Sequence, residues 1–264
     1  MNRLDKELVL KGFVESRTKA QELIANGAVK VNDKVVVKDS YSVGELDKIE
    51  IAQNDVLKYV SRGGFKLEKA LKVFNIDVSN KVVMDIGSST GGFTDCLLQN
   101  GAKKVLAIDV GTDVMHKSLR ENEKVELYEN TNITEVHHDK FEELDLIVVD
   151  VSFVSLERIV EKVYSENIKV DIICLIKPQF ECGKQIATKY GGVIKSKSVH
   201  KDVLKSVITF FNKNNFFLLG LDFSPIKGGD GNIEYIAHFS NKSIAQNKLI
   251  AYESIVNNAF NCKI

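Results

Sequence analysis

The sequence predicts a doubly wound α/β domain preceded by a small α+β module, on three observations. From about Val82 onward, short apolar runs alternate with helix-like stretches, the pattern of buried parallel strands joined by crossover helices. One of these runs, Val82–Ile86, leads directly into a glycine turn and a helix start. Before about residue 58 the habit is different: two helical patterns are followed by short β runs, in too little chain for such a sheet.

In the first module Leu4, Leu8 and Val9 sit at helical spacing. A second helix starts with Ser16 as N-cap, places Ala20, Leu23 and Ile24 on one face and stops at Asn26-Gly27. Short strands follow at Val29–Val31, Val35–Val37 and Ile49–Ile51, with a turn at Asn32–Lys34. A short polar stretch near Tyr59–Ser61, ahead of the pair Gly63-Gly64, marks a boundary. The expected organisation is a module over 1–58, a linker over 59–62 and a domain over 63–264. In that domain strands are expected at Val82–Ile86, Val105–Asp109, Val125–Tyr128, Leu144–Asp150 and Ile172–Ile176. Helices are expected at Gly91–Asn100, Val114–Glu121, Ser155–Tyr164 and Val199–Phe211. Phe216–Phe223 and Ile233–Phe239, joined by Ser224–Gly231, read as an antiparallel hairpin at one edge of the sheet.

Composition narrows the function classes. Of the 264 residues 44% are hydrophobic and 27% charged, as in an ordinary globular chain. Cys96, Cys174, Cys182 and Cys262 are scattered, so neither a metal site nor a disulfide framework is expected, and a reducing cytoplasm fits. The charged N-terminus admits no signal peptide. Apolar runs such as Ile172–Ile176 and Phe216–Leu219 fall far short of the roughly 20 residues that span a bilayer. The 36 basic and 36 acidic residues balance, and so do the ten of each in residues 1–58. Any nucleic-acid contact must therefore come from the placement of charge. One window is one-sided: between Glu181 and Asp202 stand Lys184, Lys189, Lys195, Lys197 and Lys201, with no acid.

Two constellations carry chemistry. In Val82–Phe93, glycines at 87, 91 and 92 allow a sharp turn and close approach of a ligand to a helix N-terminus. Asp109 follows Asp85 by 24 residues and ends the next strand, where an acid can hold ribose hydroxyls. The spacing is neither GxGxxG nor a phosphate loop, which disfavours a pyrophosphate cofactor. It suits a nucleoside with an amino-acid tail, S-adenosylmethionine, held by Asp85, Gly87, Ser88, Gly91, Gly92, Phe93 and Asp109. The second constellation is Lys66, just before the helix preceding the first strand; Asp150, ending the fourth strand; Lys177, ending the fifth; and Glu234, in the last strand. Carboxyl ends of strands line the ligand crevice in such sheets, so Asp150 and Lys177 should face it.

Ser61–Leu67, the Asp85–Phe93 turn, Asp150-Val151-Ser152-Phe153 and Lys177–Glu181 together resemble the TlyA (hemolysin A-like) family, with a catalytic part of the FtsJ type. Arg3-Leu4-Asp5, Ser16-Arg17, Ala20, Leu23-Ile24, Gly27 and Val29–Asn32 resemble the αL RNA-binding motif of a ribosomal small-subunit protein. The resemblance implies a Rossmann-like methyltransferase with a mostly parallel seven-stranded sheet, using S-adenosylmethionine to methylate ribosomal RNA at a ribose 2′-oxygen. It also implies a Lys-Asp-Lys-Glu tetrad, matched here by Lys66, Asp150, Lys177 and Glu234. A ribose hydroxyl is a poor nucleophile and must be oriented in line and relieved of its proton. Lys177 is assigned as the group nearest the hydroxyl, Lys66 as its cationic neighbour, Asp150 as orienter of the lysines and a second contact to the cofactor, and Glu234 as a supporting orienter.

Arg17, Lys19 and Lys30 are the candidates for RNA contact in the first module, and Lys184, Lys189 and Lys195 around the crevice. Family members that modify both ribosomal subunits tend to carry a longer arginine-rich N-terminus. A cytidine of large-subunit (23S) RNA is therefore expected ahead of a small-subunit (16S) target. Ribosomal RNA or subunits are the expected partners, with no membrane and no obligate protein partner. A pore-forming activity would need a spanning helix or lipid-facing strands. A base-methylating enzyme would more often show an Asn-Pro-Pro-Tyr-like segment or a cysteine where Asp150–Phe153 stands.

Overall fold

In the computed structural model the described residues are 2–14, 16–25, 27–51, 58–152, 154–242 and 250–262; Asn26 and Phe153 lie outside them. The chain divides into two units, Met1–Tyr59 and Val60–Ile264. The first runs β1 (Asn2–Arg3), α1 (Leu4–Leu10), α2 (Arg17–Ala25), β2 (Val29–Val31), β3 (Lys34–Val35), β4 (Ser42–Val43) and β5 (Ile49–Ile51). Strand β2 pairs antiparallel with β3 and β5, and β1 pairs with β4. Helical spacing puts Leu4 and Leu8 of α1 and Ala20, Leu23 and Ile24 of α2 on inner faces, where they close over Val29 and Val31. The expected strand Val35–Val37 is shorter and begins one residue earlier. Val35 and Val37 are 54% and 66% exposed, so little burial holds this edge extended. The β1–β4 pair has no counterpart in the sequence pattern, because two-residue strands leave no periodic signal.

The second unit runs α3 (Gly63–Phe74), β6 (Val82–Ile86), α4 (Gly92–Gln99), β7 (Lys104–Ile108), α5 (Lys117–Arg120), β8 (Val125–Tyr128), β9 (Leu146–Val149), α6 (Leu156–Ser165), β10 (Asp171–Ile176), α7 (Pro178–Glu181), α8 (Lys184–Lys189), α9 (Lys197–Lys213), β11 (Phe217–Phe223), β12 (Tyr235–Ser240) and α10 (Tyr252–Asn261). Among the described residues seven strands form one sheet in the order β11-β12-β10-β9-β6-β7-β8. Neighbours from β10 to β8 are parallel, while β12 is antiparallel to β10 and β11. Every residue of β9 is buried, as a strand covered on both faces requires. Helix α6 shows how sequence builds a buried face: Ser155 caps it by accepting from the Glu157 amide, and Leu156, Ile159, Val160 and Val163 bury one stripe against the sheet. Each such side chain is worth about 1.5–3 kcal/mol, so an aspartate at Val160 would undo the contact.

Three expectations need correcting here. The helix expected over Val114–Glu121 is a single turn, because Asp113 is left-handed (φ 62°) and the amides of Val114 and His116 bond outward to Glu129 and Thr90. Lys66 lies inside α3 rather than before it, since the pair Gly63-Gly64 opens the helix. A Cβ on Gly92 would come within 3.0 Å of the Gly64 amide nitrogen, so these glycines serve the close approach of α3 and α4. Glu234 precedes β12 rather than lying within it, although its carbonyl still accepts from the Ser224 amide at 2.8 Å. Among the described residues no helix is long and apolar enough to cross a membrane.

Candidate active site

Strand register brings together residues that are far apart in sequence. Ile86 of β6 lies opposite Ile108 of β7 on one side and Val149 of β9 on the other. The residues that follow, Gly87, Asp109 and Asp150, therefore leave the sheet at one level. Strand β10 runs further: its Cys174 is level with Val149, and its last residue, Ile176, pairs with Tyr235. Because β12 is antiparallel, continuing that register sets Lys177 across from Glu234. Helix α3 contributes Lys66 from its first turn.

These four side chains form one cluster. Lys66 Nζ donates to Glu234 Oε2 at 2.6 Å and lies 4.0 Å from Asp150 Oδ2. Lys177 Nζ lies 2.6 Å from Asp150 Oδ1 and donates to Ser152 Oγ at 3.0 Å. Gln179 Nε2 approaches Glu234 Oε1 at 3.5 Å. Lys66, Lys177 and Glu234 are 8%, 7% and 3% exposed. Two cations and two anions thus balance in a largely dehydrated space, where taking away one member leaves an uncompensated charge. Asp150 bridges the lysines, and Glu234 is the main partner of Lys66 rather than a supporting one.

Asp150 and Ser152 also line an adjoining cavity of about 300 Å³. Its floor is Gly87 (φ 81°), where a Cβ would come within 2.8 Å of the Asp150 carbonyl oxygen, so only glycine fits the turn. Its walls are apolar, with Ile86, Ile108, Val110, Ile133 and Ile159. Asp109 lies at its rim, fixed by the Ser89 and Gly111 amides, each at 2.7 Å. Apolar surface, a carboxylate and the backbone of a tight turn thus face one space, next to the lysine cluster.

A model of FtsJ-like methyltransferases matches residues 59–241, and one of the S4 domain matches residues 2–49. The chain belongs to the FtsJ-like methyltransferase family. It is 42% identical to Hemolysin A of Brachyspira hyodysenteriae, over 90% of this chain and 99% of the relative. It is 40% identical to the 23S rRNA (cytidine-2′-O)-methyltransferase TlyA of Campylobacter jejuni, over 85% of this chain and 94% of that protein. A solved structure from Streptococcus thermophilus that carries the name hemolysin superposes with a TM-score of 0.77 at 37% identity, covering 98% of this chain and 95% of the other.

Within this FtsJ-like frame the structure sorts the residues expected around the cofactor. Gly87, Asp109 and Asp150 line the cavity; Asp85, Ser88, Gly91, Gly92 and Phe93 do not. Asp85 is fully buried, its Oδ2 accepting from Thr94 Oγ1 at 2.6 Å, and burial pushes its carboxyl up to about 7. Ser88 and Phe93 are buried beside it in the chain, and Gly91 and Gly92 serve packing against Leu119 and α3. Ser89, Thr131, Asn132, Val151 and Val154 also line the cavity, and the sequence pattern does not single them out. Ser89 and Val151 stand in runs that carry the family resemblance, and Thr131-Asn132 stand just after the third strand, which are the signals that could. Ser152 and Gln179 likewise join the lysine cluster; both stand in motifs that carry the family resemblance, where they read as markers rather than as participants.

The residues expected to meet RNA are spread over both units and are described within each. In the first unit Arg17 is drawn onto buried Asp5 at 2.7 Å, Lys19 reaches the Tyr59 carbonyl at 3.4 Å, and Lys30 is exposed on β2. In the second, Lys184 and Lys189 lie on α8, of which no residue is buried, and Lys195 is exposed shortly after it.

Proposed function

We propose that the chain is an S-adenosylmethionine-dependent ribosomal RNA 2′-O-methyltransferase that acts on a cytidine ribose of the large subunit. The observation that carries this reading is the shared carboxylate: Asp150 lines the nucleoside-sized cavity and holds both lysines of the neighbouring cluster. The name of the Campylobacter relative, a 23S rRNA (cytidine-2′-O)-methyltransferase, supports the substrate. The S4 match supports an RNA-binding role for the first unit, with Arg17, Lys19 and Lys30 as contacts.

The residues present fit S-adenosylmethionine. A carboxylate has about four acceptor sites, so Asp109 can serve two backbone amides and still receive a pair of ribose hydroxyls. The apolar walls accept an adenine ring, and the tight Gly87 turn leaves backbone within reach of an amino-acid tail. When bound, S-adenosylmethionine supplies a methyl group already activated by its positive sulfur.

What the chain must add is orientation and charge. Lys177 donates to Ser152 and is ion-paired with Asp150, and with three hydrogens it keeps one for the ribose oxygen. As the ribose oxygen takes the methyl group and gives its proton to solvent water, this fixed cation stabilises the negative charge growing on that oxygen. Lys66 adds a second positive centre 4.0 Å from Asp150, and Glu234 keeps it in place. Lys184, Lys189 and Lys195 supply a phosphate grip beside the cluster.

The test is to map 2′-O-methylated riboses in ribosomal RNA from cells lacking the protein and from the same cells complemented with it. A cytidine of the large-subunit RNA should gain methylation on complementation. No difference at any ribose would overturn the proposal.

A further inference from the structure

The segment between Lys177 and Glu234 contains a strap that starts at the lysine cluster and is anchored at its far end to side chains flanking Glu234. At one end Lys177 is followed directly by α7. The chain then passes through Gly183 into exposed α8, with Lys184 and Lys189, and through Gly191-Gly192 to Ile194. Ile194 is the far anchor, 3% exposed, and both of its backbone groups bond to side chains. Its amide donates to Asn232 Oδ1 at 2.9 Å, and its carbonyl accepts from His200 Nε2 at 3.0 Å. Asn232 Nδ2 adds a bond to the Gly192 carbonyl at 2.8 Å. The other nitrogen of His200 is 2.7 Å from the Tyr235 hydroxyl.

Asn232 and Tyr235 bracket Glu234, the partner of Lys66. The side chains on both sides of that carboxylate therefore meet at a single residue of the strap, Tyr235 through His200 and Asn232 directly. The tautomer follows from the partners: a carbonyl only accepts, so Nε2 carries the hydrogen, and Nδ1 accepts from the tyrosine hydroxyl. Burial, which lowers the pKa of His200, favours this neutral form. All three side chains are almost completely inaccessible, Asn232 at 1% and His200 and Tyr235 at 0%, so the bracket is a set of interior hydrogen bonds with few alternatives in water.

We infer that Asn232, His200 and Tyr235 are positioning residues that clamp the lysine-bearing strap to the Glu234 segment, so that RNA gripped by Lys184, Lys189 and Lys195 sets the place of the Lys66–Glu234 pair. This rests on the RNA 2′-O-methyltransferase reading above. None of the three side chains lines the cavity, and among the described residues none is hydrogen-bonded to the four charged groups, so their loss should be felt in the rate of transfer more than in either binding step.

The experiment uses the full chain with large ribosomal subunits from a strain lacking the enzyme. Tyr235→Phe removes one hydroxyl, and His200→Ala and Asn232→Ala remove the other links. Single-turnover methyl transfer at saturating subunits should fall about tenfold in each. Subunit and S-adenosylmethionine affinities should stay within about twofold, and His200→Gln, which can both donate and accept, should recover part of the rate. A variant that melts much earlier than wild type is replaced by Tyr235→Phe, the smallest change. Unchanged transfer, or a loss confined to affinity, would overturn the clamp. Amide exchange at Ser224, which donates to the Glu234 carbonyl, gives a reading independent of activity. Faster exchange in Tyr235→Phe supports the clamp, and an unchanged rate counts against it. If the wild type itself transfers no methyl group to the subunits, the proposed function fails, and the exchange result still decides the clamp.

Discussion

Both units bury carboxylates against cations, and they do so to different ends. In the first, Asp5 is completely buried, while its partners Arg3 and Arg17 keep 42% and 51% of their side chains in solvent. Arg3, Arg17 and Gln21 all donate to it, and Arg3 and Gln21 reach on to Asp39, tying β1, α1 and α2 to the segment before β4. In the second, Lys66, Lys177 and Glu234 are all withdrawn from water together. An anion served by half-solvated guanidiniums loses little hydration for its cations and fastens a fold. Dehydrating lysines and carboxylates together is a poor way to gain stability, since apolar residues of the same size often do as well. The contrast is what the proposed catalytic role of the lysine cluster leads one to expect.

The largest expected effect tests that statement directly. Lys177→Ala should lower single-turnover methyl transfer by about a thousandfold, the scale of losing a donor aimed at developing charge. S-adenosylmethionine affinity, measured by calorimetry, should hold within about threefold, because Lys177 does not line the cavity. Transfer near the wild-type rate would reduce the cluster to a structural ion-pair network like that of the first unit.

Asp109→Ala should do the opposite. Its carboxylate fixes two loop amides at the cavity rim, so cofactor affinity should fall about 10- to 100-fold, while transfer at saturating cofactor changes less. An unchanged dissociation constant would remove Asp109 from the cofactor site.

Asp109 and Lys177 are both legible in the sequence, and for the same reason. Each ends an apolar run, and a charged residue closing a buried strand faces the strand-end crevice by geometry alone. The alternation of runs from Val82 to Ile176 carries the sheet in the same way. Register is different. That Ile176 pairs with Tyr235, and so brings Glu234 across from Lys177, depends on how a hairpin sits on its neighbour, which no local pattern encodes. Burial direction is also hidden: Asp85 and Asp109 look alike as strand acids, yet one points at Thr94 in the interior and the other at the cavity.

In the first unit, Asp5→Asn should cost about 1–3 kcal/mol in chemical denaturation at pH 7, as expected for a buried hydrogen-bonding centre that loses its charge. The arginines hold the Asp5 carboxyl far below the ordinary carboxylate range. A depressed value in the folded state means that its stabilisation is fully present above about pH 4, where the unfolded carboxyl is also ionised, and is lost as pH falls towards the folded value. The wild-type advantage should therefore shrink steadily below pH 4. A pH-independent difference would mean that the network acts through packing and not through charge.

The smallest effect concerns Asp85, a buried carboxyl for which no cation appears among the described partners, and it sharpens the comparison from a third side. Burial pushes this group up to about 7. Between about pH 4 and 7 the unfolded chain gives up its proton while the folded carboxyl keeps it, so stability is lost as pH rises through that window and levels off above it. A shift of this size would return about 4 kcal/mol if the charge were simply deleted. Asp85→Asn keeps an oxygen for Thr94 Oγ1 but brings an amide that needs partners of its own, and Asp85 Oδ1 has none among the described residues. With that penalty at about 1–3 kcal/mol, a net gain of about 1–3 kcal/mol is expected at pH 8, and none at pH 4. Thermal melts at the two pH values read the difference. S-adenosylmethionine affinity is the companion measurement: it should stay within about twofold, since Asp85 lies outside the cavity lining. A large loss of affinity would show that the carboxylate turns towards the cofactor on binding, and would return to Asp85 the role its place before the glycine turn suggests.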